Sequence, residues 1–254
     1  MKHILFMAAT VFVTLSAAAQ NVQLHYDLGR ALYGNLNDRM RLTTTVEMFR
    51  PDAWGSTFFF IDIDYHRDGV KGAYWEIARE VDIDGVKDDN GAKRNRWAAH
   101  VEYNGGVASD KGGTVATRFQ DAVMAGPAWN WHCADWRKTF SVQAMYRYTF
   151  KGRQPWQRPY SGFQLTEVWG VAFARGLCSF AGFCDLWYDP TVNGSLILVS
   201  EPQFWVNLNA VKGWERVNLS LGTEVEVSNN FVFNDAGRNN RFYAIPTLAA
   251  KWTF

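Results

Sequence analysis

The chain is short of several things. It has three cysteines and seven prolines in 254 residues, and its 26 Lys+Arg almost cancel its 25 Asp+Glu. A small, odd cysteine count leaves at least one thiol unpaired in an exported protein and excludes a disulfide framework. A formal charge of +1 excludes a nucleic-acid binder driven by phosphate attraction, and also a chain held open by self-repulsion. No glycine-rich phosphate loop with its lysine is present, and no G-x-S-x-G. Beyond residue 20 no apolar stretch approaches the roughly 20 residues that a membrane helix needs. If such a chain crosses a membrane, it does so with strands closed on themselves, because hydrocarbon offers nothing to an unpaired backbone N–H or C=O.

What the chain has in excess is aromatic: 18 Phe, 12 Trp and 10 Tyr, with only 20% charged residues. Apolar material without apolar runs suits strands that turn one face to lipid and the other to a wet interior.

Residues 1–19 read as an export signal. Lys2 and His3 precede an apolar run of about 16 residues including the alanines, too short to span. Ala17 and Ala19 are the small residues of a cleavage site before Gln20. The remainder, 20–254, is expected to be one outer-membrane barrel domain.

Period-two alternation runs through that remainder. From Val217 to Val227 every odd position is apolar or Thr and every even one is polar or Gly. Phe140–Phe150, Phe59–Tyr65, Leu42–Met48 and Trp97–Tyr103 behave alike. Twelve such segments are expected, near 21–31, 40–50, 56–66, 73–83, 95–104, 116–130, 138–150, 161–174, 177–188, 195–208, 215–228 and 241–254. The fold class is therefore all-β, a transmembrane antiparallel up-and-down barrel of about twelve strands. Shared among twelve strands, the residues after 19 give about 20 per strand and connection, matching spans of 9–11 residues plus loops. Asp121 and Glu167 fall out of phase, and a bulge or kink is the expected reason for each. Trp54, Trp97, Trp129, Trp131, Trp136, Tyr188, Trp214 and Trp252 lie near strand ends, where amphipathic rings form interfacial girdles.

Pro246, Leu248, Ala250, Trp252 and Phe254 alternate to a C-terminal aromatic. This ending resembles the terminal signature of bacterial outer-membrane proteins, which implies recognition by the barrel-assembly machinery through the strand ending at Phe254. Thr57–Tyr65, a loop and then Trp75–Glu80, together with the ending Ala249–Phe254, resemble the nucleoside-specific channel (Tsx-like) family. That resemblance implies a monomeric twelve-stranded barrel with a narrow lumen passing nucleosides and similar small solutes. The family's contact residues do not map onto this sequence one by one.

Placing the polar face of each strand inward gives more acids than bases, which disfavours an anion or phosphate pore. Phe58, Phe60, Phe183 and Trp205 share the inward phase. Aromatic faces beside carboxylates suit a flat-ringed, hydroxylated solute: rings stack on it for about 1–3 kcal/mol, and carboxylates accept from its hydroxyls. The expected substrate-contacting residues are Phe58, Phe60, Asp62, Glu76, Arg147, Glu201, Trp205 and Glu224. The expected partners are outer-membrane lipid and a small-molecule solute, with no nucleic acid and no cofactor or metal.

Two rivals stand beside the channel. Inward aromatics could plug the lumen and leave a non-conducting structural barrel. A barrel hydrolase of outer-leaflet lipid would need a serine beside a histidine, and only His100, with Glu102 two residues on, has a carboxylate on its own face. It points inward, away from lipid, so no enzyme is expected.

Overall fold

The computed structural model describes residues 19–37, 39–83, 95–109, 116–152, 157–192, 194–232 and 240–254. The export segment expected over 1–19 lies outside them except for Ala19. The described residues are nearly all strand: β1 (Ala19–Asp27), β2 (Leu42–Asp52), β3 (Gly55–His66), β4 (Gly69–Asp82), β5 (Asn95–Ser109), β6 (Ala116–Arg118) and β7 (Ala122–His132). Then follow β8 (Lys138–Thr149), β9 (Tyr160–Phe173), β10 (Cys178–Tyr188), β11 (Leu196–Ser200), β12 (Gln203–Asn207), β13 (Leu219–Asn229) and β14 (Phe242–Thr253). β6 and β7 both pair with β5, and β11 and β12 both pair with β10 and β13, so each couple is one interrupted stave. Twelve antiparallel staves remain. β14 pairs with β1 from Asn21↔Thr253 to Asp27↔Thr247, which closes the barrel and abolishes its edges.

The phase of the alternation is the one that the sequence predicts. Along β1, Gln23 is 1% exposed while Leu24 is 46% exposed. In β13, Ser220, Glu226 and Ser228 are buried and Leu221 is exposed. A soluble protein buries its leucines and exposes its glutamines. Here the order is inverted, as it must be when the outer solvent is hydrocarbon. Trp54, Trp136, Trp214 and Trp252 are exposed, and all sit at the end of the barrel that carries both termini.

Four details differ from the sequence reading. β1 stops at Asp27 rather than 31, because Asp27 Oδ1 accepts the Gly29 N–H at 2.7 Å and turns the chain into the single helical turn α1 (Gly29–Leu32). The stave expected over 116–130 is broken at 119–121, a break that includes the out-of-phase Asp121. The stave expected over 195–208 is broken at Glu201–Pro202, where Pro202 has no N–H for the ladder. The stave expected from 215 starts at Leu219, since Val217 N–H closes a turn on Trp214 O. Glu167, by contrast, sits in an unbroken ladder opposite Val142 and Cys184, so its carboxylate faces outward.

Two connections at the end away from the termini fold back into the barrel mouth. In the connection 28–41, Leu36 is 1% exposed and packs on the inward Tyr243 and Ile245. In the connection 189–195, Val192 packs on the inward Ile197 and Val199, beside Phe183 and Trp187. Burying a leucine in this way contributes about 1.5–3 kcal/mol, enough to hold a connection that is otherwise polar.

Candidate solute-binding lumen

The inner wall divides into two groups of side chains, and the residues expected from sequence to contact a solute are shared between them. Every one of these lies on the inward phase of its strand, and Glu201 lies at the break between β11 and β12.

Asp62, Glu201, Trp205 and Glu224 belong to the first group. Asp62 accepts from Thr45 Oγ1 at 2.5 Å, and Glu224 accepts from Gln203 Nε2 at 2.6 Å. Neighbouring strands thus hold each carboxylate in one orientation. Arg39, from the connection 28–41, donates Nε–H to Asp27 at 2.7 Å and Nη2–H to Glu226 at 2.6 Å. Burial works against its charge, but the Glu226 and Asp27 carboxylates outweigh burial and raise its pKa, so it stays a fixed cation among acids.

Trp205 is placed differently from what stacking requires. It is 0% exposed, its Nε1–H donates to Gln203 Oε1 at 2.9 Å, and Lys251 Nζ stands 4.2 Å from its ring centroid. His25 packs against it in a T-shaped arrangement as well, with the ring centroids 6.1 Å apart. The ring faces inward, yet protein already covers it. It supports the wall.

Phe58, Phe60, Glu76 and Arg147 belong to the second group. The Phe58 and Phe60 rings are half-buried, with centroids 6.0 Å apart. Glu76 Oε1 accepts from Tyr74 Oη at 2.6 Å and from Asn104 Nδ2 at 3.0 Å. Arg147 donates to Gln164 Oε1 at 2.5 Å and lies 5.3 Å over the Trp187 ring. Among the described residues, its Nε and the Asn104 Oδ1 are buried without a protein partner. A donor and an acceptor left unsatisfied in a polar interior suit a solute hydroxyl or water, because each costs about 1–3 kcal/mol when nothing meets it.

Sequence reasoning missed Arg39, Leu36, Tyr74, Asn104 and Phe119. Tyr74 and Asn104 share the phase of Glu76 and His100 and could have been found by extending the alternation strictly. Arg39 and Leu36 lie in a connection, where no periodicity speaks.

His100 does not form a hydrolytic pair. Nδ1 faces Glu80 Oε1 at 3.2 Å and Nε2 faces Glu102 Oε2 at 3.1 Å, so both ring nitrogens are taken by carboxylates and neither is left for a serine. It is 3% exposed and braces the wall of β4 and β5.

A family model described as a domain of unknown function (DUF5020) matches residues 19–254. No curated protein matches the sequence. Among solved structures the chain is similar to the NanC porin, with a TM-score of 0.54 and 9% identity, over 93% of this chain and 100% of that one. It is also similar to the KdgM porin, with a TM-score of 0.50 and 8% identity, over 93% of this chain and 99% of that one. At such identity the likeness is one of fold.

Proposed function

The chain belongs to the DUF5020 family, and from the lumen geometry we propose that it is a bacterial outer-membrane channel for passive passage of small neutral or cationic solutes. Nucleosides and similar flat-ringed, hydroxylated molecules come first among them. The observation that carries this reading is the placing of half-buried Phe58 and Phe60 rings on the same wall as Asp62 and Glu76. Rings and carboxylates together bind a base face and sugar hydroxyls, and neither suits a phosphate. Both structural neighbours are porins by name, which agrees with a conducting barrel. Passage requires sites that release quickly: a micromolar site holds its ligand by about 8 kcal/mol, so several millimolar contacts in series serve better. Lipid contacts the outer face, the strand ending at Phe254 engages the assembly machinery, and the barrel works as a monomer.

Purified protein in planar bilayers is expected to show small, steady conductance that millimolar adenosine reduces. Current indifferent to adenosine removes the nucleoside preference and leaves a general pore. A second reading, a barrel that conducts nothing, is favoured by one feature: Leu36 and Val192 both enter the mouth. Absence of any conductance from folded, heat-modifiable protein supports that reading instead.

A further inference from the structure

Four aromatic rings succeed one another along the inner wall formed by β3, β4, β5 and the broken stave β6–β7. Phe58 and Phe60 have centroids 6.0 Å apart, Phe60 and Tyr74 6.0 Å, and Tyr74 and Phe119 6.1 Å. None is sealed in protein. The first three are half-buried and Phe119 is 41% exposed. The series begins at Phe58, close to the terminus-bearing end, and finishes at Phe119, close to the end where the connections fold in.

Two local features bring Phe119 into it. Between β6 and β7 the register against β5 shifts by one residue (Val107↔Arg118, then Asn104↔Ala122), and Phe119, whose N–H bonds Gly106 O at 2.9 Å, stays opposite Gly106 on the inner face. Gly106, on the inward phase of β5, leaves the space that the ring fills: a Cβ there would stand 2.2 Å from Phe119 Cδ2. The break in the stave and the glycine opposite it therefore have one joint result, an aromatic ring on the inner wall near the mouth.

We propose that Phe58, Phe60, Tyr74 and Phe119 form one continuous track for a flat-ringed neutral or cationic solute, with Phe119 as its first step from the loop-bearing end and a determinant of specificity. The proposal rests on the channel reading and adds to it which wall carries the solute, and in what order. Steps of about 6 Å let a ring meet the next face before it has left the last, so the solute faces several shallow wells rather than one deep one. Glu76, hydrogen-bonded to Tyr74 at 2.6 Å, and Asp62, on β3 two residues from Phe60, supply acceptors beside the rings. Trp205 lies outside the series, on β12 across the barrel, with its face already covered by Lys251.

The test uses single channels inserted in one orientation, with adenosine added to one side at a time and block read against each variant's own open current. In Phe119→Ala the rate of block from the loop side is expected to fall at least about five-fold, the lower end of one ring-stacking contribution. The rate from the terminus side is expected to change much less, and Phe58→Ala should show the reverse asymmetry. Phe119→Leu keeps the bulk over Gly106 and the fold but not the ring face, and should behave like the alanine variant, whereas Phe119→Trp restores block. If block from both sides responds equally, or if Leu serves as well as Phe, the track is overturned while the channel stands. If the unaltered protein shows no block by adenosine at all, it is the parent reading that fails.

Discussion

Arg39 and Glu226 are 187 residues apart in the chain and meet at 2.6 Å. With the bond from Arg39 to Asp27 at 2.7 Å, this contact fastens the connection 28–41 inside the barrel. One guanidinium between two carboxylates from β1 and β13 ties the loop to the wall on either side of β14, while Leu36 rests on β14 itself.

Arg39→Ala is expected to leave two buried carboxylates without their cation, lowering stability by on the order of 3 kcal/mol. Because the connection is released from the mouth, single-channel current should rise and become noisier. Arg39→Lys should fall between, since an ammonium cannot span both acids as a fork does. Urea titration in detergent and bilayer recording measure the two effects, and unchanged current in Arg39→Ala would show that the tuck does not narrow the path.

Leu248, in the middle of β14, is 62% exposed and faces outward. Replacing it with Arg is expected to cost about 2–4 kcal/mol, the penalty for a cation near the bilayer midplane. Unfolding from lipid vesicles measures it. A cost near zero would mean that this face meets water.

Among the described residues carboxylates exceed cations on the inner wall, so the open pore should prefer K⁺ to Cl⁻. Glu47→Gln combined with Glu102→Gln removes two of those charges, from β2 and β5, and the reversal potential in a KCl gradient should move toward zero. An unmoved potential would place the selective region elsewhere along the lumen.

Glu167 presents a carboxylate to lipid between Val142 and Cys184. Its replacement by Leu is expected to stabilise the barrel by on the order of 1 kcal/mol, because a lipid-facing acid costs less than a lipid-facing base but still costs. The same vesicle titration reads the gain, and a loss instead would reveal an unsuspected partner for this acid.

The staves and their phase were legible because the period-two pattern is set by burial on one side, and Leu219 and Leu221 fall on the outer face as the alternation requires. The same phase placed Phe58, Phe60, Asp62 and Glu76 on the inner face. It could not report what covers an inward ring: Trp205 has the right phase, but its face is taken by Lys251, a neighbour from β14 reached only through β13. Phe119 was illegible for the opposite reason, since a one-residue register shift at the break turns it inward out of phase with Ala122 and Met124. Arg39 and Leu36 lie in a connection whose contacts are settled by distant strands, and local pattern carries no information about those. Glu167 shows a further limit, because an out-of-phase charge suggests a bulge, whereas here the ladder runs on and the charge is simply tolerated.

The pairing of β1 with β14 bears on how the molecule is made. The first and last strands of this sheet are side-by-side neighbours, and Phe254 N–H reaches Gln20 O at 3.0 Å. A chain cut short before residue 242 would carry two bare, sticky margins and no means of sealing them. The ring closes only where β14 meets β1, and without that ladder the same sheet would keep two unpaired margins.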